Sequence, residues 1–92
     1  MDTKTMKGKL VMIPDSVSGK GLEFAKSLLD DGIRVMINGP EQEKIIECLF
    51  KLAKKYHADL LYGVPGVIMS VEEYNKFYAN PPIDMVVSAP GI

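Results

Sequence analysis

Residues 10–21 read LVMIPDSVSGKG, and this stretch decides the fold. Leu10, Val11, Met12 and Ile13 form an uninterrupted apolar run, closed by Pro14. A turn carrying Gly19 and Gly21 follows. It opens directly into a segment whose apolar residues Leu22, Ala25, Leu28 and Leu29 share one helical face. Strand, glycine-bearing turn and helix N-terminus in that order aim backbone N–H groups at a point where an anion is favoured.

The same alternation continues along the chain. Residues 9–13 read as a strand and 19–31 as a helix stopped by Gly32. Residues 33–37 are a second strand, and Asn38-Gly39-Pro40 is a turn. Pro40-Glu41 suits a helix start, and the spacing predicts a helix over 41–56 with Ile45, Ile46, Leu49, Phe50 and Ala53 facing inward. Residues 58–63 are a third strand. Ser70, with Glu73 three residues on, forms a capping box for a third helix reaching about Tyr78. Pro81-Pro82 breaks the chain, and 83–88 is a fourth strand. Near-continuous apolar strands joined by helices mean a parallel sheet covered on both faces. Right-handed crossovers then give a three-layer α/β domain with strand order 3-2-1-4 and three helices. The first two helices fall on one face and the third on the other. Ligands of such sheets bind beyond the carboxyl ends of the strands where the order reverses, here at the loops beginning at Pro14 and Ser88.

Composition agrees with one small domain: a polar tail over 1–8, then a single unit over 9–92. Hydrophobic residues make up 47% of the 92, enough for a packed core rather than disorder. The net charge is −1 and the 11 basic residues are scattered, so no basic stripe points to nucleic acid. Cys48 is the single cysteine and sits in a helical apolar pattern, which reads as core. The start, MDTKTMKGK, is polar, and no apolar run reaches membrane-spanning length. The expectation is a cytoplasmic protein with no membrane partner.

From about Lys7 onward the chain resembles the N-terminal half of a short-chain dehydrogenase/reductase. The stretches KLVMIPDSVSGKGLEFAKSLLDDGIRVMING and EEYNKFYANPPIDMVVSAPGI, and the spacing between them, carry the likeness. The resemblance implies a half-Rossmann fold that binds NAD(P). The family's loop, Thr-Gly-x-x-x-Gly-x-Gly, falls on the eight residues from Pro14 to Gly21, and only Gly19 and Gly21 of its glycines are kept. Its Asn-Asn-Ala-Gly after the fourth strand falls on Ser88, Ala89, Pro90 and Gly91. Its acidic residue near the adenine falls on Val67. Its cofactor-selecting positions fall on Asn38, Gly39 and Pro40, none of them acidic. The implied cofactor-binding set is Ser16, Ser18, Gly19, Lys20 and Gly21.

The departures matter physically. Asp15 stands where a glycine would admit a pyrophosphate, and it adds a side chain and a negative charge. Like charges near a surface repel by about 1 kcal/mol or more. Lys20, near the helix N-terminus, offsets part of this. The loop therefore reads either as an anion cradle or as an N-capping turn in which Gly21 allows close packing. Gly19-Lys20-Gly21 lacks the Ser or Thr and the spacing of a Walker loop.

The family's catalytic Ser, Tyr and Lys lie beyond the fourth strand, past the end of this sequence. Tyr74 and Lys76 do not match that motif, and Tyr74, Phe77 and Tyr78 read as core and rim aromatics. His57 reads as a helix C-terminal residue with no partner for a metal site. Asp15, Glu23 and Asp84 form no acid pair, and Lys51, Lys54 and Lys55 read as a solvated helix face. Three functions follow: a non-catalytic, self-associating scaffold that requires no cofactor; a weak NAD(P)- or ADP-binding module; and part of an oxidoreductase completed by another chain. An altered site on intact fold signals suggests engineering or relaxed function. Self-association is expected through the apolar fourth strand and the thinly covered sheet face, with Met85, Val86, Val87 and Ile92 near the contact and Pro81-Pro82 as a hinge for segment exchange.

Overall fold

In the computed structural model, residues 3–78 and 81–89 are described. Four strands form one sheet: β1 (Leu10–Ile13), β2 (Arg34–Gly39), β3 (Leu61–Pro65) and β4 (Met85–Val86). Their order is β3-β2-β1-β4 and all neighbours are parallel, as the sequence led us to expect. Three helices connect them: α1 (Gly19–Asp30), α2 (Gln42–Leu52) and α3 (Val71–Phe77).

The pleat explains why every residue of β1 is apolar. Val11 and Ile13 point to one face, into a core with Ala25, Leu28 and Leu29 of α1 and Ile45, Cys48 and Leu52 of α2. Leu10 and Met12 point to the other face, into a smaller core with Met36, Val64, Ile68, Tyr74 and Ile83. The sheet thus divides α1 and α2 from α3. Residues Thr3–Met6 form a 3-10 turn that sends Met6 into the larger core.

Local chemistry ends the elements where they end. After α1 the Gly32 N–H donates to Leu29 O at 2.9 Å and the Ile33 N–H to Leu28 O at 3.0 Å. Gly32 takes a left-handed φ of 77°. That bond pair is the Schellman stop, and it needs a residue free of Cβ strain. Before α3, Ser70 Oγ accepts from the Glu73 N–H at 3.1 Å, while Glu73 Oε1 accepts from the Met69 N–H at 2.8 Å. The capping box is therefore formed, its carboxylate reaching one residue further back than the usual pattern.

Four expectations differ from the structure: α2 ends at Leu52 rather than near 56, β4 is only Met85–Val86 of the expected 83–88, and the start of β3 and the buried face of α2 shift as follows. Residues Ala58–Leu60 form a 3-10 turn, and β3 starts only at Leu61. His57 caps that turn by accepting the Asp59 N–H on Nδ1 at 3.1 Å. The buried stripe of α2 is Ile45, Cys48 and Leu52, with Leu49 half-buried. Ile46, Phe50 and Ala53 are exposed, Phe50 at 70%. α2 packs over β2 and the edge strand β3, so the outer half of its broad apolar stripe overhangs the sheet.

Candidate functional site

The carboxyl ends of β1, β2 and β3 open into a cleft of about 220 Å³, lined by Pro14, Asp15, Asn38, Gly39, Pro40 and residues 66–69. Its walls are almost wholly apolar. The loop from Pro14 to Gly19 forms one side, and its backbone has a definite shape. Asp15 is exposed and left-handed, with φ 51°. This is the position that holds glycine in the family loop, and Asp is among the few other residues that tolerate it. Gly19 is left-handed as well, with φ 64°.

Ser16 is fully buried. Its hydroxyl donates to Ile13 O at 2.6 Å and accepts from the Asn38 N–H at 3.0 Å. Its own N–H donates to Asn38 O at 2.9 Å. Ser16 therefore prolongs the β1–β2 ladder beyond Ile13. Gly21 is buried too. A Cβ there would run into the Asp15 carbonyl, and would lie 3.0 Å from Ser16 Cα. Helix α1 can approach the loop only because position 21 has no side chain. Ser18 is the N-cap of α1, exposed and without a side-chain capping bond. Gly19 and Lys20 are exposed beside it. The five candidate residues are thus split. Ser18, Gly19 and Lys20 face solvent at the helix N-terminus, whereas Ser16 and Gly21 are enclosed by the fold.

Asn38 is a residue whose part in the site the sequence reading missed. It is buried at the end of β2, and its amide donates to Val64 O at 3.0 Å and to Gly66 O at 2.9 Å. The Gly66 N–H returns a bond to Gly39 O at 3.0 Å, and Gly66 has φ 107°. Asn38 thus clamps the β3 loop that forms the far wall of the cleft. An Asn-Gly pair closing an apolar strand was the available signal, but it reads as a turn until β3 is placed beside it. Val67, the counterpart of the family's adenine-side acid, is 81% exposed. Past β4, Ser88 is exposed and Ala89 buried; Pro90, Gly91 and Ile92 lie outside the described residues.

NAD(P) fits this cleft only in part. A flat base would meet Pro14, Pro40, Val67 and Met69 on apolar walls. The ribose hydroxyls would find the Asn38 amide already engaged with two carbonyls. The pyrophosphate would meet the Asp15 side chain where the family loop is bare. The dinucleotide as a whole does not match the groups present.

Other candidates fall away from the cleft. The Tyr74 hydroxyl donates to Pro81 O at 2.7 Å, and burial pushes its pKa up, with a smaller contribution from Tyr78. Tyr78 stacks on Tyr74 at 5.5 Å, and Phe77 is exposed. Asp84 ties β4 to β1, its carboxylate accepting the Leu10 N–H at 2.8 Å. Among the described residues no group of three or more His, Cys, Asp or Glu could hold a metal, and no helix is long and apolar enough to cross a membrane.

No protein-family model matches the chain. An uncharacterized oxidoreductase of Bacillus subtilis strain 168, YvaG, is 32% identical over 88 residues, which are 95% of this chain and 33% of that protein. A short chain dehydrogenase from Bacillus anthracis superposes with a TM-score of 0.59 at 27% identity, over 88% of this chain and 35% of that one. The chain resembles the cofactor-binding part of a short-chain dehydrogenase. Serine dehydrogenase from Escherichia coli shares the fold, with a TM-score of 0.62 at 21% identity, over 84% of this chain and 36% of that one. The chain spans about a third of the length of the curated relative it matches.

Proposed function

We propose that this domain is a Rossmann-type scaffold without dehydrogenase turnover of its own, its phosphate loop acting as a structural turn. One observation carries the reading: the Ser16 hydroxyl is buried between Ile13 O and the Asn38 N–H. Two further features support it. Asp15 places a carboxylate beside the pyrophosphate position. No described general acid or base other than Asp15 lines the cleft. Hydride transfer needs both a seated cofactor and a group that moves the substrate proton.

A second reading is favoured by the apolar cleft. The adenosine part of ADP or NAD(P) binds there weakly, its phosphates at Ser18, Gly19 and Lys20, with Ser16 and Gly21 holding the loop in shape. Calorimetric titration of the protein and of Asp15→Gly with ADP, NADH and NADPH separates the two. Unchanged or weaker binding in the variant leaves the turn structural. Tighter binding establishes the second reading. Stereospecific NADPH oxidation by the pure protein, lost on mutating a residue of the loop, defeats the first.

We also infer a homodimer through β4. Its pairing with β1 covers two residues, Met85 and Val86, and the described residues place no strand on its other edge. Met85, Val86 and Val87 are half-buried, Met85 and Val87 toward the α1–α2 core and Val86 toward the other face, where the seven-residue α3 is the described helix. Open edges of this kind are normally shielded. Light scattering on the protein and on Val87→Lys tests this. A wild-type monomer at high micromolar concentration removes the inference, and a dimer unaffected by the substitution moves the interface off β4.

A further inference from the structure

A second groove lies away from the cleft, between α1 and α2. It encloses about 440 Å³ and is lined along α1 by Ser18, Leu22 and Lys26, and along α2 by Lys44, Cys48, Lys51 and Leu52. From the N-cap Ser18 to Lys26 this wall runs eight residue steps, about 12 Å at 1.5 Å per residue. The floor is apolar: Cys48 and Leu52 are buried, and Leu22 is half-buried. One end is closed. Tyr56 Oη donates to Asp30 Oδ1 at 2.7 Å, tying the turn after α2 to the end of α1, and Lys55 Nζ lies 3.8 Å from the same carboxylate.

The rim is cationic. Lys26, Lys44, Lys51 and Lys55 face a single lining carboxylate, Glu47, although the chain as a whole carries a net charge of −1. Lys26 and Lys55 are compensated by Glu23, at 3.9 Å, and by Asp30. Lys44 and Lys51 make no ion pair with any described residue, Glu47 included. Two turns apart on one face of α2, with Glu47 on the turn between them, they leave the α2 rim with one net positive charge. Lys26 and Lys51 both reach the floor electrostatically: burial pushes the Cys48 thiol up, and these two ammonium groups oppose it.

We propose that this groove binds a single-chain anionic amphiphile, its head group between Lys44 and Lys51 and its alkyl tail along Leu22, Cys48 and Leu52 toward Tyr56. A narrow apolar floor with charge at its rim matches that chemistry. The lysine stems add apolar wall while their ammonium groups stay in water. A sugar or base would find neutral hydroxyls only at the two ends, Ser18 and Tyr56, the latter already donating to Asp30, with an apolar floor between. A cationic or neutral head group would leave Lys44 and Lys51 uncompensated. The groove meets the phosphate loop only at Val17 and Ser18, shares no residue with the cleft, and does not depend on the function proposed above.

The test uses monomeric dodecanoate, below its micelle concentration, against the isotopically labelled protein. Two readouts are followed: amide shifts along α1 and α2, and the rate at which a small disulfide reagent modifies Cys48. Saturable shifts at Leu22, Lys44, Lys51 and Leu52, with slowed Cys48 modification, are expected. Lys44→Glu/Lys51→Glu turns two attractions into repulsions and should weaken binding roughly tenfold, whereas Lys54→Glu, outside the groove, leaves it unchanged. Equal binding of dodecyltrimethylammonium, unchanged affinity in the double variant, or shifts confined to the exposed Ile46–Phe50 side of α2 would each overturn the proposal. Binding of an acidic peptide helix with no response to dodecanoate would overturn it also.

Discussion

Replacing Ser16 by alanine tests whether the loop serves the fold or a ligand. The substitution removes one oxygen and leaves the backbone free to stay as it is. It strips the Asn38 N–H of its acceptor at 3.0 Å and Ile13 O of a donor at 2.6 Å, both in a site closed to water. A buried donor left without a partner costs about 1–3 kcal/mol, and the lost hydroxyl donation adds about 1. The sum, about 2–4 kcal/mol, is a large part of the roughly 5–15 kcal/mol available to a small domain. At about 4–8 °C per kcal/mol, the midpoint should fall by at least 8 °C or so. Urea and thermal unfolding read the stability, and amide exchange at Asn38 locates the damage. Ser18→Ala is the control. It is exposed and makes no capping bond, so it should change stability by less than about 0.5 kcal/mol. The reasoning is refuted if Ser16→Ala is as stable as the control and instead loses ADP binding.

Gly21→Ala should destabilise by about 1–3 kcal/mol despite alanine's better helix propensity, because the new methyl meets the Asp15 backbone rather than a movable side chain; chemical denaturation checks this. Asn38→Ala leaves Val64 O and Gly66 O without their donor and should cost about 2 kcal/mol, with faster exchange of the Gly66 amide than of the β1 amides. Tyr74→Phe should cost about 1 kcal/mol by removing the bond to Pro81 O, read by thermal unfolding. Burial raises the Cys48 pKa, so the folded state favours the protonated thiol; that contribution is fully present below the ordinary thiol value and is lost as pH rises through the folded value. Cys48→Ala should therefore flatten part of the alkaline decline in stability, seen by unfolding at stepped pH.

The site was legible in outline only. Gly19 and Gly21 announced a turn feeding a helix, and the substitution at Asp15 was visible as a charge in a place suited to phosphate. The partners of Ser16 were not readable, because its hydroxyl bridges β1 and β2 across 22 residues of chain. The role of Asn38 depends on β3, a further 26 to 28 residues away. Hydrogen bonds of this kind leave no periodic trace. The lysine groove was hidden for the same reason: Lys51 of α2 and Lys55 of the turn after it read as a solvated helix face until Lys26 of α1 is set across from them.

The sequence by itself determined the element order, the parallel sheet and the arrangement β3-β2-β1-β4. Wholly apolar strands demand cover on both faces, and right-handed crossovers leave few ways to supply it. It also determined the end of α1 and the start of α3, since Gly32 and Ser70 act through bonds to residues a few positions away. Tertiary structure decided what lies at a boundary. The apolar stripe of α2 is broad enough to bury either Ile46 and Phe50 or Cys48 and Leu52. The choice fell to the second pair because β3 is the edge of the sheet and offers nothing beyond it for the first to cover. Where a helix meets a sheet interior, its periodicity predicts its buried face; where it meets an edge, the extent of the neighbouring surface selects among the apolar residues on offer.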